Sequence, residues 1–136
     1  MSNIKVVLSS SMSFFDKIKK WRDKLEQNNF KVIFYPEKIE GDIAKGYRKE
    51  FKKCYSSIKE TNKLVVLNFE KNGVPGYIGA GVFAEMAFAL GIDRKVDVKY
   101  LNPISIEKLP YAEELKLWKK LEWISKFENM SDLCKK

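Results

Sequence analysis

Four short runs rich in β-branched residues alternate with stretches of helical period along a chain of 136 residues. One of them, KLVVLNF (63–69), has the continuous apolar centre of a strand covered on both faces. These observations predict an α/β fold. The expected arrangement is a flavodoxin-like three-layer sandwich with a four- or five-stranded parallel sheet, order 2-1-3-4(-5). The length suits one domain spanning 1–136.

IKVVLS (4–9) reads as strand one. Ser11 or Ser13 can cap the helix that follows, whose apolar positions Phe14, Phe15, Ile18, Trp21 and Leu25 keep helical phase until Asn28-Asn29. FKVIFY (30–35) is strand two, stopped by Pro36. After a loop at 37–42, a second helix runs from about Ile43 to Glu60, with Tyr47, Phe51, Cys54, Tyr55 and Ile58 in phase. Strand three is followed by a loop at 71–81 and a third helix from about Gly81 to Leu90. KVDVKYL (95–101) alternates as strand four, ended by Asn102-Pro103. The tail from Tyr111 to Phe127 has helical period, with Leu115, Trp118, Leu121 and Trp123 as its apolar set; a short fifth strand near 123–125 competes with that reading.

Composition narrows the chemistry. The absence of histidine excludes Ser-His-Asp and Cys-His catalysis and histidine metal sites. Cys54 and Cys134 lie far apart and make no CxxC pair, so they read as two ordinary thiols with no metal site. The apolar runs are too short to span a bilayer, and MSNIKVV lacks the form of a secretion signal, so a cytoplasmic location is expected and no membrane partner. The net charge of +8 is compatible with an anionic ligand. The lysines are scattered, and the dense stretch at 17–20 falls on a helix. No aromatic and basic interleaving suited to stacking bases on a sheet is evident, so no specific nucleic-acid partner is expected.

Open parallel sheets bind ligands beyond the carboxyl ends of the strands, where strand order reverses. Here that point lies between strands one and three. It gathers Ser9, Ser10 and Ser11 after the first strand with Asn68, Glu70, Tyr77 and the glycine loop after the third. Gly79 and Gly81 remove side chains where backbone can approach a ligand, and the helix start that follows favours an anion. The loop is neither a P-loop nor GxGxxG.

YIGAGVFAEMAFALG (77–91) raises the central question, because Glu85 is the one carboxylate in an otherwise apolar helix. A helix apolar all round is expected to be buried, and an unpaired ionised carboxylate there costs at least ~3 kcal/mol. Glu85 is therefore expected either to be paired or open to a polar cleft, or to have its proton affinity raised by burial. Each outcome describes a carboxylate fit for nucleophilic or acid–base work, or a structural glutamate bonded to loop backbone.

The stretch Gly81 to Gly91, with Gly81 four residues before Glu85, resembles the glycine-to-glutamate helix of the nucleoside 2-deoxyribosyltransferase family and its relatives, the deoxynucleoside monophosphate N-glycosidases. Arg94-Lys95-Val96 fits the family's turn into the fourth strand, and the element order agrees in outline to about Pro103. The resemblance implies that Glu85 attacks C1′ of a deoxyribose while the base leaves, and that another base or water resolves the glycosyl-enzyme. It implies a nucleoside or nucleotide substrate, no cofactor and a homodimer or higher homo-oligomer completing the sites. In monophosphate-specific relatives serines and glycine-loop amides hold the phosphate; Ser9, Ser10, Ser11, Gly79 and Gly81 are the corresponding candidates. Two positions depart from the family pattern: Gly79 stands where transferases carry an Asp six residues before the glutamate, and Asn68 replaces an acidic residue. The general acid is left among Glu70, Tyr77 and a neighbouring subunit. The alternative function is a non-catalytic module of the same fold that binds a nucleotide or phosphorylated metabolite.

Overall fold

The computed structural model describes residues 3–134. A five-stranded sheet runs in the order β2-β1-β3-β4-β5, every neighbouring pair parallel. Its strands are β1 (Lys5–Ser9), β2 (Lys31–Phe34), β3 (Lys63–Val66), β4 (Asp97–Tyr100) and β5 (Ile124–Lys126). The helices are α1 (Phe15–Gln27), α2 (Ile43–Ile58), α3 (Ala80–Gly91), α4 (Ala112–Lys120) and α5 (Met130–Cys134). This is the flavodoxin-like three-layer architecture, with strand order reversing between β1 and β3.

The pleat divides the core in two. Val7, Leu64, Val66, Val98 and Tyr100 pack with Cys54, Ile58, Val82, Met86 and Leu115, which come from α2, α3 and α4. Val6, Leu8, Val65 and Leu67 pack on the other face with Ile18, Leu25, Phe127 and Leu133. Fully buried side chains of this size contribute about 1.5–3 kcal/mol each relative to exposure.

Helix ends follow local chemistry. Ser11 caps a 3-10 turn at Met12–Phe14 that leads into α1. Asn29, at φ 68°, closes α1: its N–H reaches Glu26 O, and the Phe30 N–H reaches Leu25 O. That pairing is the Schellman arrangement, and both Phe30 and Leu25 are buried.

The same device corrects the expected tail helix. Glu122 takes φ 60°, its N–H bonds Lys119 O, and the Trp123 N–H bonds Trp118 O. The helix therefore stops at Lys120, and β5 follows where the short fifth strand was the competing reading. Leu121 and Trp123, expected among the apolar set of that helix, lie beyond its end and are exposed. No helix among the described residues is long and apolar enough to cross a membrane.

Candidate functional site

The first strand carries Ser9 to the end of the sheet, where its fully buried hydroxyl donates to Glu85 Oε1 at 2.5 Å. Glu85 lies in the second turn of α3 and is half-buried. The Cys54 thiol of α2 acts on the same carboxylate, lowering its proton affinity. Three elements thus meet at one carboxylate. Among the described residues no lysine or arginine forms an ion pair with it.

Burial raises the proton affinity of Glu85, and Ser9 and Cys54 partly oppose that rise. The Cys54 thiol is pushed far up, first by burial and then by the negative charge of Glu85. It stays protonated, so Cys54 is not a thiolate nucleophile. Glu50, one turn before Cys54, adds its own negative charge to the thiol, and its Oε2 is enclosed without a hydrogen-bond partner among the described residues. Tyr55 is also raised, by burial first and then by Glu85.

The helix bearing Glu85 is less enclosed than its composition suggests. Val82, Met86 and Ala89 are buried, whereas Ala80, Gly81, Ala84 and Gly91 are exposed. The reason is its place in the outer layer. Phe88 packs edge-on against Tyr55 of α2, and Phe83 stacks on Trp118 of α4 at 5.0 Å, leaving the remaining side of α3 open. Gly81 leaves open space where a Cβ would stand, so backbone one turn before Glu85 is accessible.

The other candidates separate into distinct positions. Ser10 Oγ donates to Leu67 O at 2.7 Å, bridging β1 and the chain after β3. Ser11 is half-buried and shares hydrogen bonds with Ser13 at 2.9 Å and with Lys71 Nζ at 3.0 Å. The Asn68 amide is committed to the neighbouring turn: Oδ1 accepts from the Leu101 and Asn102 N–H groups, and Nδ2 donates to Asn102 O. Glu70 is exposed and lines a shallow hollow with Pro75, Gly76 and Asn102. Tyr77 is half-buried, with Lys71 Nζ 5.7 Å from its ring centroid. Gly79 is the residue before α3, and a Cβ there would approach the Tyr77 ring to 3.2 Å.

Cys54 and Lys71 escaped sequence reasoning. Cys54 was visible only as an apolar position in helical phase, and its partner lies in another helix. Lys71 was one lysine among many, and its place beside Ser11 depends on how the loop folds back. Among the described residues no group of three or more His, Cys, Asp or Glu side chains is arranged to hold a metal. The chain matches no protein-family model and no curated protein.

Proposed function

We propose that the protein cleaves or exchanges the N-glycosidic bond of a nucleoside or nucleotide, with Glu85 as nucleophile. The observation that carries this is the half-buried Glu85 carboxylate, held by Ser9 and, among the described residues, not neutralised by an ion pair. Such a carboxylate is poorly solvated yet fixed in direction, which suits attack on an oxocarbenium-like C1′. The Glu85–C1′ bond forms as the C1′–N bond breaks, and the base leaves with the electron pair and takes up a proton. Water or a second base then attacks C1′ and frees the carboxylate. Glu70 and Tyr77, on the loop before α3, remain the candidates within this chain for the proton donor. The likeness of residues 81–91 to the deoxyribosyltransferase helix supports the same reading. The two free cysteines fit action in the cytoplasm.

Incubation with a panel of deoxynucleosides and their monophosphates, followed by mass spectrometry, tests it. Free or exchanged base is expected with the native protein and not with Glu85→Gln. Absence of both across the panel removes the catalytic reading. A non-catalytic nucleotide-binding module is the second reading, favoured by Gly79 in the place of the family Asp. Calorimetric binding of a monophosphate that is recovered intact selects it.

We also infer self-association through the α3–α4 side. The exposed residues Ala80, Gly81, Ala84 and Gly91 give α3 an uncharged outer face, and Leu117, Leu121 and Trp123 are exposed nearby in sequence on and after α4. Sedimentation equilibrium is expected to give a dimer or larger species.

A further inference from the structure

A lysine and two serines meet beside the crevice. Of the serines after β1, Ser9 is spent on Glu85 and Ser10 on Leu67 O. Ser11 and Ser13 are left, with hydroxyl oxygens 2.9 Å apart. Lys71 joins them from the chain after β3, its Nζ donating to Ser11 Oγ at 3.0 Å. Lys71 is half-buried and forms no ion pair among the described residues. Glu70 next to it lines the hollow with Pro75, Gly76 and Asn102 instead.

The backbone of Lys71 is held in place. Its N–H and carbonyl both pair with Val74, at 3.2 and 2.9 Å, and close a two-residue turn. Asn72 and Gly73 within that turn take φ 52° and 76°. Two successive left-handed residues are the tight hairpin connection, so the lysine stem leaves from a closed turn rather than a loose loop. The Tyr77 ring flanks the ammonium group, 5.7 Å from Nζ to the centroid.

The protons of this cluster do not balance internally. Ser11 Oγ accepts from Lys71 Nζ and, at 3.4 Å, from the Ser13 N–H. Both its lone pairs are then used, so its own proton goes to Ser13 Oγ. The Ser13 hydroxyl proton and the remaining ammonium protons are left without an acceptor among the described residues. Spare donors around one positive charge suit an anion with several acceptor oxygens.

We propose that Lys71, Ser11 and Ser13 seat the 5′-phosphate of the substrate, so that the protein acts on nucleoside monophosphates in preference to free nucleosides. This rests on the reading of Glu85 as nucleophile. Ser11 lies two residues after Ser9, which holds Glu85, so the α-carbons of the two serines are at most about 7 Å apart. That reach is comparable to the span from C1′ to the 5′-phosphorus across one sugar ring. The seat and the carboxylate can therefore engage the two ends of one sugar phosphate. A phosphomonoester supplies three acceptor oxygens and the counter-charge that Lys71 lacks, whereas a 5′-hydroxyl supplies no charge.

Calorimetry with 2-deoxyribose 5-phosphate reads the seat without any turnover. The native protein is expected to bind it. Lys71→Met is expected to weaken binding about tenfold or more, Ser13→Ala severalfold, and Lys20→Met, at an exposed position on α1, less than twofold. Base release from deoxynucleosides and their 5′-monophosphates reads the preference. The ratio of kcat/KM, monophosphate over nucleoside, is expected to fall about tenfold in Lys71→Met and to be largely restored in Lys71→Arg. Sugar-phosphate binding that depends on Lys71, in a protein that releases no base, supports the seat and removes the catalytic reading alone. Equal kcat/KM on nucleosides and monophosphates, with no sugar-phosphate binding, overturns the seat and keeps the catalytic reading. Equal loss on both substrates in Lys71→Met, the mark of a lysine that only pins its loop, also overturns it.

Discussion

Ser9 Oγ and Glu85 Oε1 are joined by a 2.5 Å hydrogen bond between residues 76 positions apart in the chain. The bond fixes the carboxylate to the end of β1, beside the point where strand order reverses. The Cys54 thiol, from α2, lowers the proton affinity of the same carboxylate. Burial meanwhile favours its protonated form, so the charged state needed for attack depends on Ser9 and Cys54.

Ser9→Ala should therefore change the pH profile more than the maximal rate. The Ser9 bond lowers the proton affinity of Glu85, and its removal lets burial act with less opposition. A hydrogen bond to a charged group contributes about 1.5–3 kcal/mol, or roughly tenfold or more in the carboxylate-to-acid ratio. The acidic limb of the rate of base release should move to higher pH, with about a tenfold loss on that limb and recovery as pH rises. Ser10→Ala should leave the limb in place, because its hydroxyl bonds Leu67 O. An unchanged limb in Ser9→Ala would show that the bond does not set the charge of Glu85.

Glu85→Gln should abolish base release, by about three orders of magnitude or more as nucleophile removal does, while stabilising the fold at neutral pH. The native state holds the Glu85 proton more tightly than the unfolded chain does. Between the ordinary carboxylate range and the raised native value, the folded protein binds more protons. Stability then falls as pH rises through that window and stays lower above it. The glutamine side chain has no such dependence. Its Tm should exceed that of the native protein by about 2–5 °C at pH 8, and the gap should close as pH drops below the ordinary carboxylate range. A constant gap across pH would mean that burial of Glu85 carries no titration penalty.

Periodicity and β-branched runs revealed four strands and most of the helices, because each is set by local sequence, and the sheet order followed from their alternation, which leaves few parallel topologies. The fate of the tail was less legible: Glu122 at φ 60° ends α4, and no glycine marks that turn. Glu85 stood out as one charge in an apolar helix, and Ser9 followed from topology. The action of Cys54 was hidden because a thiol in phase with Ile58 looks like any core residue. Asn68 was expected at the crevice, and its amide serves the turn at Leu101 and Asn102. Sequence locates a polar residue at a strand end, but its hydrogen-bond partners depend on the loop opposite.

Asp97→Ala should be among the more destabilising changes away from the crevice. Lys63 is nearly fully buried at the start of β3, and its Nζ bonds Asp97 Oδ2 at 2.8 Å across to β4. Removing the carboxylate leaves a buried ammonium group short of its anionic partner, which costs about 3 kcal/mol. Urea unfolding should show a lower midpoint with an unchanged slope. Lys63→Met with Asp97→Leu should recover most of the loss, because a buried ion pair contributes little over an apolar replacement. Failure of the double variant to recover would show that the pair does more than satisfy its own charges.

Gly76, in the loop that leads into α3, and Gly81, in the first turn of that helix, should respond in opposite ways to alanine. Gly76 takes φ 62°, and a Cβ there would stand 1.9 Å from Pro103 O, overlapping backbone that cannot yield cheaply. Gly76→Ala should lower stability by about 2 kcal/mol or more. Gly81 has ordinary φ, lies in the first turn of α3 and has nothing within 4 Å of its ideal Cβ. Gly81→Ala should raise stability by about 0.5–1 kcal/mol, the usual gain within a helix. If a substrate seats against the open backbone one turn before Glu85, the added methyl group meets it there. KM should then rise severalfold while kcat changes little, since the methyl group does not touch the carboxylate. A stabilised Gly81→Ala with unaltered KM would place the substrate elsewhere on the crevice, away from the start of α3.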